Sequence, residues 1–362
     1  MELNIWYFLA VLPGIGSAKI KQLLDHFPDP RQILAADKRD LGQCSLLTQK
    51  DVETIILYSR NSDKIRQDFT KLQEEQIRFV GRTDPEFPKE LLHCQDPPVG
   101  LFLKGKPLDE RKKKVAVVGA RMCSPYGKTM VQKIAGNLAD CGAVVVSGMA
   151  RGIDGLAHEE TLNHSGITYA VLAGGLDAIY PPEHRDLYHR ILEQGTLISE
   201  YPPGIQPCKG MFPRRNRLIS GLSEAVVLIE ARTRSGSLIT ADLALEQGKD
   251  IYVVPGRIGD PLSEGCNAYI RQGAQIITSI PELLNDLKIV PQKNHTSIQN
   301  KKFTLEKEES LVYSCLRLTP KGLDEITLES GLGLMRVFEI VSKLRDLGLI
   351  EECYRNQFIR SR

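Results

Sequence analysis

The sequence predicts an α/β protein whose centre, residues 71–287, is a Rossmann-like parallel sheet covered by helices. Short β-branched apolar runs recur at 115–119, 143–147, 168–172, 196–199, 225–229, 250–254 and 275–277. Segments of helical spacing, such as 126–138 and 238–246, lie between them. Near-continuous apolar strands alternating with helices are what a parallel sheet buried on both faces requires. Right-handed crossovers then bring the loops that follow the strands to one edge, where ligands bind.

The flanking regions read differently. Residues 1–70 form a small helical unit. Leu9, Leu12, Ile15, Ile20, Leu23 and Leu24 make an apolar stripe, broken by Pro13-Gly14-Ile15-Gly16. The entry to the central region is a connection punctuated by Pro85, Pro88, Pro97 and Pro98, with short extended pieces such as Leu101-Phe102-Leu103. A polar stretch at 288–305 reads as a flexible linker. Residues 306–362 read as helices followed by a hairpin: a helix-turn-helix over 323–347 and a wing over 349–360, hence a winged-helix domain.

Composition narrows the function classes. The 362 residues carry a net charge of only +2, so attraction for a polyanion has to come from local clusters. The eight cysteines form no CxxC pair and have no histidines at zinc-finger spacing, which predicts no metal site. Thiols without an export signal, and no apolar run of membrane-spanning length, predict a cytoplasmic protein with no membrane partner.

The loops after the strands carry the functional signal. The first, Gly119-Ala120-Arg121 to Ser124, places glycine and an arginine fork before a helix start, a geometry suited to phosphate. It equally suits an arginine salt-bridged at a sheet edge. The loop is not GxGxxG, and no acid ends the second strand to hold a ribose diol, which disfavours an adenine dinucleotide. The second loop repeats the device with Gly148, Arg151 and Gly152. Asp154 and His158 follow at i and i+4, a spacing read as a structural pair because further metal ligands are missing. The third loop contains Gly174 and ends near His184, read mainly as the start of the next helix. The fourth is basic: Phe212-Pro213-Arg214-Arg215-Asn216-Arg217, three arginines beside an aromatic ring. That grouping suits backbone phosphates with one stacked base, or a solvated basic face. The fifth sets Ser235, Gly236 and Ser237 at a helix N-terminus, both a cap and an anion cradle. Together the loops offer several phosphate donors, no nucleophile–base pair and no cofactor site, so no catalytic residue is expected.

These motifs in this order resemble the DNA-processing protein A (DprA/Smf) family. The resemblance rests on Val115 through Arg121 with Ser124, Ser147 through Asp154 with His158, and Gly175-Leu176-Asp177 with Tyr180-Pro181. It continues in Phe212 through Arg217, in Ser235 through Thr240, and in Val254-Pro255-Gly256. It implies a non-enzymatic protein that binds single-stranded DNA, protects incoming strands and loads the RecA recombinase during natural transformation. It also implies a homodimer, an N-terminal domain related to the sterile-alpha-motif (SAM) fold, and a winged-helix end. By motif match, Arg121, Arg215 and Arg217 would help form the positive DNA pocket. Ala120 stands where serine or threonine is common, and His184 where asparagine is also common.

Two other readings have sequence criteria of their own. A nucleoside-monophosphate phosphoribohydrolase on a related fold would carry a Pro-Gly-Gly-x-Gly-Thr-x-x-Glu motif. The nearest stretch, Arg234 through Thr240, lacks its glycine pattern and its glutamate. A transcriptional regulator acting through the C-terminal region would need a duplex-reading helix. The one available mixes Arg336, Glu339, Lys343, Arg345 and Asp346.

Overall fold

The computed structural model describes residues 4–290, 305–317, 319–354 and 356–360. Most of the expected linker at 288–305 therefore lies outside the described residues. Nine strands form one sheet: β1 (Ile77–Gly81), β2 (Gly100–Gly105), β3 (Lys114–Val118), β4 (Val144–Ser147), β5 (Ile167–Val171), β6 (Thr196–Ser199), β7 (Ala225–Leu228), β8 (Asp250–Val253) and β9 (Gln275–Ile276). Their spatial order is β1-β2-β6-β5-β4-β3-β7-β8-β9. From β6 to β9 every pairing is parallel, as in Val115 opposite both Val145 and Ala225.

The seven strands expected from apolar runs are those of this parallel part. The antiparallel edge was not expected. β1 and β2 form a hairpin that joins β6 antiparallel, with Phe102 opposite Ser199. The stretch read as a proline-punctuated connection therefore extends the sheet.

Six helices precede the sheet: α1 (Ile5–Val11), α2 (Ser17–His26), α3 (Gln32–Ala35), α4 (Lys38–Gly42), α5 (Gln49–Arg60) and α6 (Ser62–Glu74). Their apolar faces do not close on themselves alone. Tyr7 of α1 packs edge-on against Phe79 of β1 and Phe69 of α6, at ring centroid distances of 5.3 and 4.9 Å. Phe8, Leu9, Ile33 and Ile55 share one core with Phe102, Leu172 and Leu197 of the sheet side. Burial on that scale, at roughly 1.5–3 kcal/mol per large side chain, ties the helices to the sheet.

Seven helices cover the sheet: α7 (Pro125–Asp140), α8 (Ile153–Asn163), α9 (Arg185–Gln194), α10 (Met211–Leu222), α11 (Gly236–Glu246), α12 (Glu264–Arg271) and α13 (Ile280–Asp286). The inner strands are buried along their whole length, which explains their unbroken valine runs. The described residues after 304 contain α14 (Lys307–Cys315), α15 (Leu323–Ser330) and α16 (Leu334–Asp346). With them go β10 (Lys321–Gly322), β11 (Ile350–Tyr354) and β12 (Gln357–Arg360), in the order β10-β12-β11. Val312, Ile326, Val337, Ile340 and Leu344 form a separate core there. Among the described residues no helix is long and apolar enough to cross a membrane, and no cluster of three or more His, Cys, Asp or Glu could hold a metal.

Candidate nucleic-acid interface

β3 and β7 are neighbours from which the chain winds outward in opposite directions, through β4 to β6 and through β8 to β9. Such a switch point opens a crevice at the carboxyl ends of the strands. A cleft of about 790 Å³ lies there. Arg121 borders it from the loop after β3, Lys209 and Phe212 from the start of α10, and Arg232 and Arg234 from the loop after β7.

The loop after β3 is held from below. Ser124 caps α7, its hydroxyl accepting from the Gly127 N–H at 3.1 Å. Its own N–H donates to Glu230 Oε2 at 2.8 Å, and its hydroxyl donates to the other Glu230 oxygen. Glu230, just past β7, is buried. Ser124, expected as a DNA-binding residue, is thus engaged in anchoring the loop through Glu230. Gly119 lies against Ile153, where a side chain would clash. Arg121 stands exposed above this base, its guanidinium carbon 5.5 Å from the Phe212 ring centroid. Phe212 in turn lies 5.4 Å from the Tyr180 ring. A cation and two rings on one wall form a surface on which a base can stack.

The basic motif is not a loop. Met211 opens α10, so Phe212 through Arg217 wind through its first turns and point in different directions. Arg215 is buried beneath the cleft, 4% exposed, and donates to the carbonyls of Gly148 (2.6 Å) and Val171. Burial draws its pKa down to about 10, with Arg121 adding to the fall and Asp154 opposing it, so it stays charged at neutral pH. Asn216 braces it, accepting from Arg215 Nε at 3.3 Å and donating to the Gly236 carbonyl at 3.2 Å. Arg217 leaves the cleft altogether. It donates to both Glu200 oxygens at 2.7 and 2.8 Å, and its Nε faces Asp96 at 3.5 Å. Arg217, expected as a phosphate ligand, is thus held in a buried ion pair.

Other expected donors have partners of their own. Arg151, expected as a phosphate ligand, pairs with Glu183 at the surface, outside the cleft lining. Gly148 has no side chain because the Arg215 guanidinium fills that space; a Cβ would meet it at 2.5 Å. Gly152, with φ +72°, lets its backbone press against the Ala120 and Arg121 carbonyls. Gly174 is a close crossing with the Ile205 carbonyl and Pro207 backbone, and its own carbonyl accepts from Ser199. Asp154 and His158 do not bond to each other. Asp154 accepts from the Gly148 N–H at 3.1 Å, and burial raises its pKa. His158 Nδ1 meets Thr168 Oγ1 at 2.6 Å. Thr168 already donates to the Val145 carbonyl, so the histidine carries the proton on Nδ1. His184 precedes α9 and bonds the Met149 carbonyl through Nδ1 at 3.1 Å.

At the opposite wall, Ser235 caps α11, and Gly236 has open space where a side chain would project. With Ser237 it leaves the first turn of α11 facing the cleft, a favourable place for an anion. The exposed cations Arg121, Lys209, Arg232 and Arg234 have no ion pair among the described residues. Sequence reasoning missed Lys209 as a site residue. Its signal was a lysine just before a helix start, between two loops already singled out. The clustering turns a chain of net charge +2 into a locally positive crevice.

Comparison with known proteins places this geometry among relatives. Residues 78–288 match the family model described as DNA recombination-mediator protein A. The protein Smf of Escherichia coli is 36% identical over 311 residues, covering 84% of this chain and 81% of Smf. An X-ray structure of DNA processing protein A from Streptococcus pneumoniae superposes with a TM-score of 0.69 at 33% identity, covering 79% of this chain and 99% of that one. A Helicobacter pylori DNA processing protein A, whose structure concerns its single-stranded DNA binding mode, gives 0.53 at 34% identity, over 59% and 96%.

Proposed function

The chain belongs to the DNA processing protein A (DprA/Smf) family, and we propose on that footing that it binds single-stranded DNA in the switch-point cleft. The observation that carries the reading is the grouping, in the cleft that Phe212 and Tyr180 line, of four cations with no ion pair among the described residues. Backbone phosphates take the cations and the first turn of α11, and one base lies on the aromatic wall. Single strands offer unstacked bases to such a wall, whereas a duplex keeps its bases stacked. Arg121, Lys209, Phe212 and the Ser235-Gly236-Ser237 turn make the contacts in this proposal. Arg215 and Asn216 form the charged floor, while Ser124, Gly148, Arg151, Gly152, Gly174 and Arg217 hold the scaffold.

The finer reading is a cytoplasmic recombination mediator that acts without catalysis. It protects incoming strands and loads the RecA recombinase during natural transformation, working as a homodimer. Its support is the family model's description as a DNA recombination-mediator protein. In the same proposal residues 1–70 form a SAM-like domain, 71–287 the DNA-binding domain, 288–305 a linker, and 306–362 a winged-helix domain. The test is equilibrium binding to oligo-dT and to a duplex, each of about 20 units, a length near known single-strand site sizes. Clear preference for the single strand is expected. Equal affinity for the duplex would overturn the reading.

A further inference from the structure

The C-terminal segment leaves a cluster of large apolar side chains in solvent. Leu328 of α15 is 86% exposed. Across the turn, Leu334, Met335 and Phe338 at the start of α16 are 49, 74 and 54% exposed. Positions 334, 335 and 338 share one face of a helix, and Gly331, at φ +68°, turns the chain between the two helices. Single exposed apolar residues need no explanation, but four within eleven residues on adjoining helices mark a contact surface.

The charges around this face argue against nucleic acid. Each cation in the body of α16 is tied to a carboxylate of the same segment. Arg336 donates to Glu308 at 2.8 Å and to Glu339 at 3.0 Å; Lys343 pairs with Glu309, and Arg345 reaches Glu352 at 3.5 Å. A helix that reads a duplex needs free donors for phosphates and base edges, and this one spends its donors internally. On α15 and α16 themselves, the charges without an ion pair among the described residues are acidic. Asp324 and Glu325 stand exposed one helical turn before Leu328, with no ion pair among the described residues. They suit the first turn of α15, and they also give the apolar strip a negative flank.

We propose that the α15–α16 face docks an amphipathic helix of a protein partner, with an apolar stripe and a lysine- or arginine-rich flank. The stripe lies on Leu328, Leu334, Met335 and Phe338, with the flexible methionine fitting it to the partner's side chains. The basic flank meets Asp324 and Glu325, which fixes the direction of docking. The surface is separate from the cleft residues, so partner docking and strand binding are carried by different side chains.

The test uses the whole chain and a fluorescein-labelled helical peptide of leucine and lysine, about 18 residues long so that it holds its helix. Saturable, salt-sensitive anisotropy is expected. The double variant Met335→Ser, Phe338→Ser changes only exposed positions and is expected to weaken binding roughly tenfold or more, as for central interface residues. Asp324→Asn with Glu325→Gln should weaken it several-fold and flatten the salt dependence. A leucine and glutamate peptide should bind far less. Unchanged peptide affinity in both double variants overturns the proposal. So does loss of duplex DNA binding in the serine variant, which would assign the face to nucleic acid. Loss of self-association in that variant, seen by sedimentation, would assign it to a second copy and also overturns the proposal.

Discussion

The Arg121 guanidinium lies 5.5 Å from the centre of the Phe212 ring, so the loop after β3 and the first turn of α10 share one wall of the cleft. The two residues should therefore fail differently. Phe212→Ala should cost about 1–3 kcal/mol of single-strand affinity with little change in salt dependence, because a stacked base is lost. Arg121→Ala should weaken binding and also reduce the salt slope, because a phosphate contact is lost. Fluorescence titration of labelled oligo-dT at several salt concentrations separates the two.

Arg217 gives the contrasting case. Its side chain is 7% exposed and that of its partner Glu200 16%, away from the cleft. Arg217→Ala leaves a largely buried carboxylate without its partner, a loss of about 3–5 kcal/mol in comparable pairs. Urea unfolding should show a lower midpoint, while the salt slope of DNA binding in the remaining folded protein stays at the wild-type value. A reduced slope with normal stability would return Arg217 to the DNA surface.

Gly148→Ala tests the cleft floor. The added Cβ would lie 2.5 Å from the Arg215 guanidinium, which donates to the Gly148 carbonyl at 2.6 Å. The arginine has to move, and both its carbonyl bonds are strained. Expected outcomes are a lower melting temperature, on the order of 1–3 kcal/mol of overpacking, and weaker oligo-dT binding. Native stability together with native affinity would show that the floor is more compliant than its packing implies.

His158 predicts a pH dependence. Burial lowers its pKa from 6.5 to about 3, with His184 and Arg215 adding to the fall. Between those values the unfolded chain holds a proton that the folded chain does not. Stability is therefore full above about pH 6.5 and is lost as pH falls towards 3, at up to about 1.4 kcal/mol per pH unit. His158→Gln should flatten the slope of unfolding free energy between pH 6 and 4, measured by urea titration against wild type. An unchanged slope would assign that proton to another group.

The sheet was legible where burial on both faces leaves unbroken apolar runs, as at Val115–Val118 and Val144–Ser147. The β1–β2 hairpin was hidden by Pro85, Pro88, Pro97 and Pro98, which all lie in the connection between the two strands without entering them. The glycine loops were legible because close backbone crossings exclude side chains. Which arginines face solvent was not. Arg215 and Arg217 are two residues apart on one helix, and their environments are decided by Val171, Gly148 and Glu200, distant in sequence. Lys209 escaped notice for the same reason: its value depends on the company it keeps in space.

The salt dependence of oligo-dT binding tests the central claim most directly. Four cations with no ion pair among the described residues line the cleft, and each phosphate contact with a single strand contributes about 0.7 to the slope of log affinity against log salt. The wild-type slope should be about −3 per protomer, falling in size by about 0.7 each with Arg121→Ala and Lys209→Ala. A slope near zero, or one that neither substitution changes, would contradict the assignment of the cleft to a DNA strand.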